Sequence, residues 1–314
     1  MKKRHFLAAA LALPFAIFTS SCEKKDTSAT ASATETDGAT TSSEGGPATQ
    51  PLRFSAIPDM NTTEQTVKFQ KLADYLAETL GVKTEFIPAS DYDASVSKFV
   101  NGEIHLAWFG GLTGVQARAE VEGALAIAQG AEDPQYLSYF IANVDTGLEP
   151  SDDFPVGIKD LKFTFGSQKS TSGRLMPEFF IREATGSGPD DWFSQPVGYS
   201  GAHDKTAKLV EAGTWQAGVL SYTTYDKMVE EGNLDPAICK IIWKTPNYAD
   251  YNWTAHPDLE KIFGEGFITK LQKALIGIDD PELLKTLQRS AMIEAKNEDF
   301  QGIADVATAL GLLN

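Results

Sequence analysis

Between Leu52 and Lys244 the hydrophobic pattern switches repeatedly between strand-like and helix-like periods, and that alternation limits what the chain can fold into more than any other feature. The segment "LRFSAIP" reads as a strand. In "TTEQTVKFQKLADYLAETLG", Phe69, Leu72, Leu76 and Leu80 share one helical stripe and Gly81 stands at the stop. Strands follow at "KTEFIP", "IHLAWFG" and "ALAIAQ", separated by helices at "DYDASVSKFVNG" and "GVQARAEVEG". After "YLSYFIANV", long enough to leave one lobe and enter another, the alternation restarts through "KFTFGS", "RLMPEFFIREATG", "SQPVGYS", "HDKTAKLVEAG", "QAGVLS", "YTTYDKMVEEG" and "ICKIIWK". The last stretch, from "HPDLEKIF" through "DDPELLKTLQRSAMIEA" to "IADVATALGLL", reads as helical and is expected to pack across the second lobe.

Strands alternating with helices predict an α/β chain of two lobes, each a mostly parallel sheet flanked by helices, with a ligand cleft between them. The first lobe is expected over about 51–140 with room for a C-terminal return, the second over about 150–250, and the C-terminal helices over about 256–314.

Ahead of this region, "MKKRHFLAAALALPFAIFTSSC" sets Lys2, Lys3 and Arg4 before an apolar run of about a dozen residues that ends in small side chains and Cys22. That is the build of an export signal, and the run is shorter than the roughly 18–20 apolar residues of a membrane-spanning helix. Cys22 occupies the place of the acylated cysteine of a bacterial lipoprotein, although Thr19 stands where leucine is usual. Residues 1–22 are therefore expected to be a lipoprotein signal, with a lipid on Cys22 converting a secreted protein into an anchored one. Residues 23–50 hold no aromatic or branched aliphatic side chain and are expected to act as a flexible Ser/Thr/Ala/Gly tether to the folded part at 51–314. Cys239 is the other of two cysteines, so stability has to come from a core.

The formal net charge of -16 argues against nucleic acid as a partner. It leaves room for a small anion, because a cleft can be donor-rich inside an acidic surface. The stretch "FGSQKSTSGRLMPEFF" puts Ser170, Thr171, Ser172 and Gly173 just ahead of a helix. It lacks the second glycine of a phosphate-binding Walker loop. Likewise "GYSGAH" has Ala202 where a nucleophile elbow needs glycine. The four histidines, one in the leader, and two cysteines form no metal-binding spacing, and no cofactor motif is present. A single serine there would simply cap the helix. Three consecutive hydroxyls with a glycine suit an anion cradle, in which backbone amides and side chains donate to one point. His203, in "SGAHD", also stands where a strand hands over to a helix. So do Tyr92 in "SDYDAS" and Trp108 in "AWFGG", positions where an aromatic is more often core than contact.

Four stretches, "DYDASVSKFVNGEIHLAWFGG", "FTFGSQKSTSGRLMP", "SGAHD" and "TPNYADYNWT", resemble the phosphate/phosphite/phosphonate substrate-binding proteins of ABC importers from about Leu52 to the C-terminus. The resemblance implies a two-lobe periplasmic-binding-protein type II fold, no enzymatic activity, an importer permease and ATPase as partners, and a small oxyanion as ligand. It implies that Ser170, Thr171 and Ser172 hold the oxyanion, that His203 donates from the opposite helix start, and that Tyr92 and Tyr136 close from the other lobe, with Tyr139 an alternative to Tyr136. Asp250 takes the place of a cleft carboxylate, and Tyr222 is a further contact by the same logic. Within the family, "GGLTGVQAR", "SGAHD" and "DYNWT" are most similar to a selenate-binding subset. Selenate carries no proton at neutral pH, so an ionised Asp250 would repel it, whereas a protonated phosphorus oxyanion could donate to that carboxylate. An extracellular phosphoesterase and a ligand sensor feeding a signalling partner are the rival readings.

Overall fold

The computed structural model describes residues 50–313. The expected signal and Cys22, and all but the last residue of the tether, lie outside them. In chain order the strands are β1 (Leu52–Ala56), β2 (Thr84–Phe86), β3 (Leu106–Phe109), β4 (Leu125–Gly130), β5 (Ser138–Asn143), β6 (Phe163–Phe165), β7 (Gly198–Tyr199), β8 (Ala217–Ser221), β9 (Cys239–Lys244), β10 (Asn252–Ala255) and β11 (Met292–Glu294). They build two sheets, ordered β11-β4-β10-β3-β1-β2 and β7-β6-β8-β5-β9. Each sheet with its helices makes one lobe.

Both sheets are mixed where mostly parallel ones were expected. Strands β1, β2 and β3 pair in parallel, as do β6, β7 and β8, but β10 lies antiparallel between β3 and β4, and β5 lies antiparallel between β8 and β9. The cause is the path of the chain. It passes between sheets at 131–137 and again at 245–251, and the first strand after each passage slots into the interior of the other sheet against the prevailing direction. β10, "NWTA", is hard to read as a central strand because half of it is polar. Arg118 resolves this by donating from Nη1 to Asn252 Oδ1 and Thr254 Oγ1, both at 2.9 Å.

The helices follow their apolar stripes. Helix Thr62–Leu80 is capped by the Asn61 side chain and ends at Gly81 with φ 71°, and it buries Phe69, Leu72, Leu76 and Leu80. The C-terminal segment corrects the expectation that it packs across the second lobe. Helix Phe267–Ile276 covers β4, β11 and helix Thr62–Leu80, and helix Gln301–Ala309 packs on helix Gly111–Glu120, all in the first lobe. β10 has already returned the chain there. Nor is that segment wholly helical: helix Pro281–Leu287 stops at Gln288, which adopts φ 56°, and Met292–Glu294 pairs with β4 as an edge strand.

Candidate functional site

The polar groups of interest sit at helix starts or in the two crossovers between the sheets. After β6, the Ser170 hydroxyl accepts from the Gly173 amide at 2.9 Å, and the Leu175 amide donates to the Ser170 carbonyl at 2.9 Å. Thr171–Leu175 thus winds as one π turn before helix Met176–Thr185, a wide turn of the kind found at functional sites. The leading amides, at Thr171 and Ser172, come too early in the turn to reach a carbonyl behind them. Gly173 is needed for contact: a Cβ there would stand 2.9 Å from Ser170 Oγ and 3.1 Å from His203 Cε1.

His203 opens helix His203–Glu211. Its amide donates to the Asp59 carbonyl of the first lobe at 3.0 Å, and its Nδ1 accepts from the Ser221 amide at 3.2 Å. A ring that accepts at Nδ1 keeps its hydrogen on Nε2. Burial pushes the imidazole down to about 4. It is therefore a neutral donor at ordinary pH.

Tyr92 is the first residue of helix Tyr92–Val100, whose cap is the Asp91 carboxylate. Burial and the Asp59 charge push the Tyr92 phenol well above its usual range, with the Ser170 side chain pulling the other way, so it too stays a donor. Asp250 lies in the second crossover. Its Oδ1 accepts from the Gly111 amide at 2.9 Å, and burial raises the carboxyl to about 7, against the pull of that amide and of the Thr171 and Ser172 hydroxyls.

Thr171 does something the sequence did not indicate. Its Oγ1 accepts from the Leu112 amide at 2.9 Å, so a side chain of the second lobe caps the start of helix Gly111–Glu120 in the first. That approach is close enough that a Cβ on Gly110 would lie 3.1 Å from Thr171 Oγ1 and 3.3 Å from Asp250 Oδ1. Outside this core contact, Lys169 and Asp93 pair across the lobes at 3.6 Å.

Four buried polar atoms make no well-formed hydrogen bond to the protein here, Tyr92 Oη, Ser172 Oγ, His203 Nε2 and Asp250 Oδ2, although the Ser172 hydroxyl lies near enough to Asp250, and the Ser170 side chain to Tyr92, to pull on their titration. Three are donors and one is an acceptor, and they come from both lobes and a crossover. Their surroundings bind them into one site, since Tyr92 feels Ser170 and Asp250, Asp250 feels Thr171 and Ser172, and His203 abuts Gly173.

The remaining aromatic candidates lie behind or beside this group. Tyr136 is fully buried in the first crossover and its hydroxyl is already shared with Ser221 and Thr223. Tyr139, the alternative, turns into the second lobe, where its hydroxyl donates to Asp226 at 3.3 Å. Trp108 stacks on Tyr251 at 5.4 Å between ring centroids and forms wall rather than donor. Tyr222 is half-buried and packs its ring edge against Tyr136 at 4.9 Å, with no unpartnered atom among the four.

Sequence reading missed Asp59, Tyr251 and Tyr248. Asp59, raised to about 6 by burial, accepts from the Tyr251 hydroxyl at 2.8 Å, while Tyr248 and Ser138 hydroxyls pair at 2.6 Å and Ser138 donates to the Ser172 carbonyl at 2.7 Å. The available signal was position: Asp59 follows β1 at its carboxyl end, and both tyrosines flank Asp250 in "NYADY".

Residues 54–300 match the family described as the periplasmic substrate-binding protein of the phosphonate ABC transporter. A relative from Prochlorococcus marinus (strain MIT 9301), described as a probable ABC transporter phosphite binding protein PhnD1, is 34% identical over 266 residues, 82% of this chain and 89% of its own. The structure of PhnD1 from that organism in complex with methylphosphonate superposes with a TM-score of 0.79 at 33% identity, covering 83% of this chain and 98% of PhnD1. The phosphate-import protein PhnD of Mycolicibacterium smegmatis is 32% identical over 70% of each chain. With an α/β two-lobe fold and a match that spans nearly all of its folded residues, this chain belongs to the phosphonate family of periplasmic substrate-binding proteins of ABC transporters.

Proposed function

We propose that the protein captures a small phosphorus oxyanion, a phosphonate, phosphite or phosphate, between its lobes and delivers it to an importer permease while anchored through a lipid on Cys22. The observation that carries this reading is the set of four unpartnered buried atoms, Tyr92 Oη, Ser172 Oγ, His203 Nε2 and Asp250 Oδ2. Polar groups buried without partners are costly, and a tetrahedral oxyanion with several acceptors and one proton complements three donors and one acceptor. Ser170, Thr171 and Gly173 shape the same loop, the leading amides of the π turn add donors, and Tyr136, Trp108 and Tyr222 back it with aromatic surface. The relatives named for phosphite and phosphate, and the likeness to PhnD1 with methylphosphonate, point to the same ligand class.

No bond needs to break in such a site. Charge-assisted hydrogen bonds of roughly 1.5–3 kcal/mol each offset the desolvation of the anion once the lobes exclude water. His203 is poorly suited to a phosphoesterase, because a ring held near pKa 4 and turned by its Nδ1 toward a backbone amide is a weak base. Asp250 also separates ligand classes. Sulfate and selenate offer no proton to Oδ2, so either would require Asp250 in its protonated form, whereas a phosphorus oxyanion can bring that proton itself.

Calorimetry of the soluble protein, starting at residue 51, against methylphosphonate, phosphite, phosphate, sulfate and selenate tests this directly. Binding of the phosphorus series, and its loss in the Ser170→Ala/Thr171→Ala/Ser172→Ala variant, is expected. Unchanged affinity in that variant, or tightest binding of selenate, would remove the reading.

A further inference from the structure

Two-lobed binding proteins bend where the chain crosses between lobes. Here the two crossovers, 131–137 and 245–251, are tied to each other by a reciprocal backbone pair between Tyr136 and Tyr248, both bonds 2.9 Å, and by the Asp250 amide donating to the Asp133 carbonyl at 3.1 Å. A third segment reaches the same place. Arg289, just beyond helix Pro281–Leu287, is 2% exposed at its side chain and clasps the fully buried Asp133 carboxylate through Nε at 2.9 Å and Nη2 at 2.6 Å. Its Nη1 donates to the Leu287 and Gln288 carbonyls at 3.0 and 2.9 Å, which fixes the guanidinium to its own segment.

The guanidinium carbon lies over three rings: Tyr251 at 4.8 Å, Tyr136 at 5.2 Å and Trp108 at 5.5 Å. One ring belongs to each crossover and the third to β3, and they include the aromatic wall behind the candidate site. The neighbouring backbone makes room for it, since a Cβ on Gly130 would fall 2.2 Å from Arg289 Cδ. Burial alone would lower the guanidinium, but the Asp133 carboxylate more than offsets it and keeps the cation. None of this group hydrogen-bonds to the four unpartnered atoms. Asp250, which carries one of them, is held by its amide to the carbonyl of Asp133 itself.

We infer that Arg289 is a positioning residue for ligand capture: paired with Asp133 and stacked on one ring from each crossover, it pins both connections in the geometry that presents Asp250 and the aromatic wall to the oxyanion. The inference rests on the cleft being the oxyanion site.

The test pairs calorimetry of methylphosphonate with thermal melting and small-angle X-ray scattering, on wild type, Asp133→Asn/Arg289→Gln and Arg289→Lys. The double variant removes both charges together and so leaves no lone buried ion, while lysine keeps the cation but gives up the fork and the ring stacking. A loss of affinity of about tenfold or more in both variants, with less compaction on saturation and a ligand-free melting temperature close to wild type, supports the role. Unchanged affinity, or affinity that falls only in step with ligand-free stability, overturns it and leaves the pair a structural feature. Wild type that binds none of the phosphorus oxyanions would instead sink the functional reading on which the inference stands.

Discussion

Asp250 has two carboxylate oxygens with different fates, one held by the Gly111 amide and one buried without a partner, and its carboxyl is raised by burial to about 7. Near neutrality it is therefore present in both forms. Protonated, it can donate to a fully deprotonated oxyanion; ionised, it can only accept from a ligand that keeps a proton. Either way the complex holds one proton between carboxyl and ligand. Once the pH exceeds the range in which either partner carries it, that proton must come from solution, so affinity should fall with rising pH by about tenfold per unit. His203 does not interfere, because at about 4 it stays neutral throughout. Asp250→Asn replaces the acceptor with a donor. Calorimetry from pH 6 to 9 should show phosphite or methylphosphonate affinity reduced by about 10- to 100-fold near neutrality, a flattened pH slope, and improved binding of sulfate. An unchanged slope would place the proton elsewhere, with Asp59 the next group to examine. The residue types at this site were legible in the sequence, Ser170–Gly173, His203 and Tyr92 because they stand at strand or helix ends, and Asp250 through the family resemblance alone. The division of labour among them was not. Nothing in "KSTSG" says that Thr171 is spent on the Leu112 amide while Ser172 keeps a free hydroxyl.

Helix Gly111–Glu120 begins on Gly110 with no side-chain cap from its own segment. Its first amides are satisfied from elsewhere, Gly111 by Asp250 and Leu112 by Thr171. The second lobe and its crossover thus complete the helix end, a contribution of the order of a capping interaction, roughly 1 kcal/mol. Gly110→Ala puts a methyl 3.1 Å from Thr171 Oγ1, which only lobe separation or a local shift can relieve. Because Gly110 has an ordinary φ of -73°, the backbone itself accepts alanine. Ligand affinity should drop by the equivalent of about 1–3 kcal/mol, the range for an overpacked contact, while the ligand-free melting temperature changes little. Equal losses in both would mean that the contact serves the fold rather than capture. At this scale the helices were predictable, because their stripes and glycine stops are local. β10 was not, since a strand of alternating polar residues becomes central only when Arg118 arrives from another helix to satisfy Asn252 and Thr254.

For the whole molecule, the proposed anchor is separable from the folded part. Replacing Cys22 by alanine in the full chain should move the protein from the membrane fraction to the soluble exported fraction and stop incorporation of labelled fatty acid, with ligand affinity unchanged; persistent membrane association would point to another attachment. The sequence by itself determined the α/β class, the stops of the helices and the cluster of donors at 170–173, because each of these is written in patterns only a few residues long. Only the tertiary structure decided that β5 and β10 enter the opposite sheets, that the C-terminal helices cover the first lobe, and that Arg289 meets Asp133 across 156 residues of chain. A hydrophobic period says that one face of an element will be buried. Which surface buries it is settled by the packing of the complete chain, where groups far apart in sequence compete for the same interior.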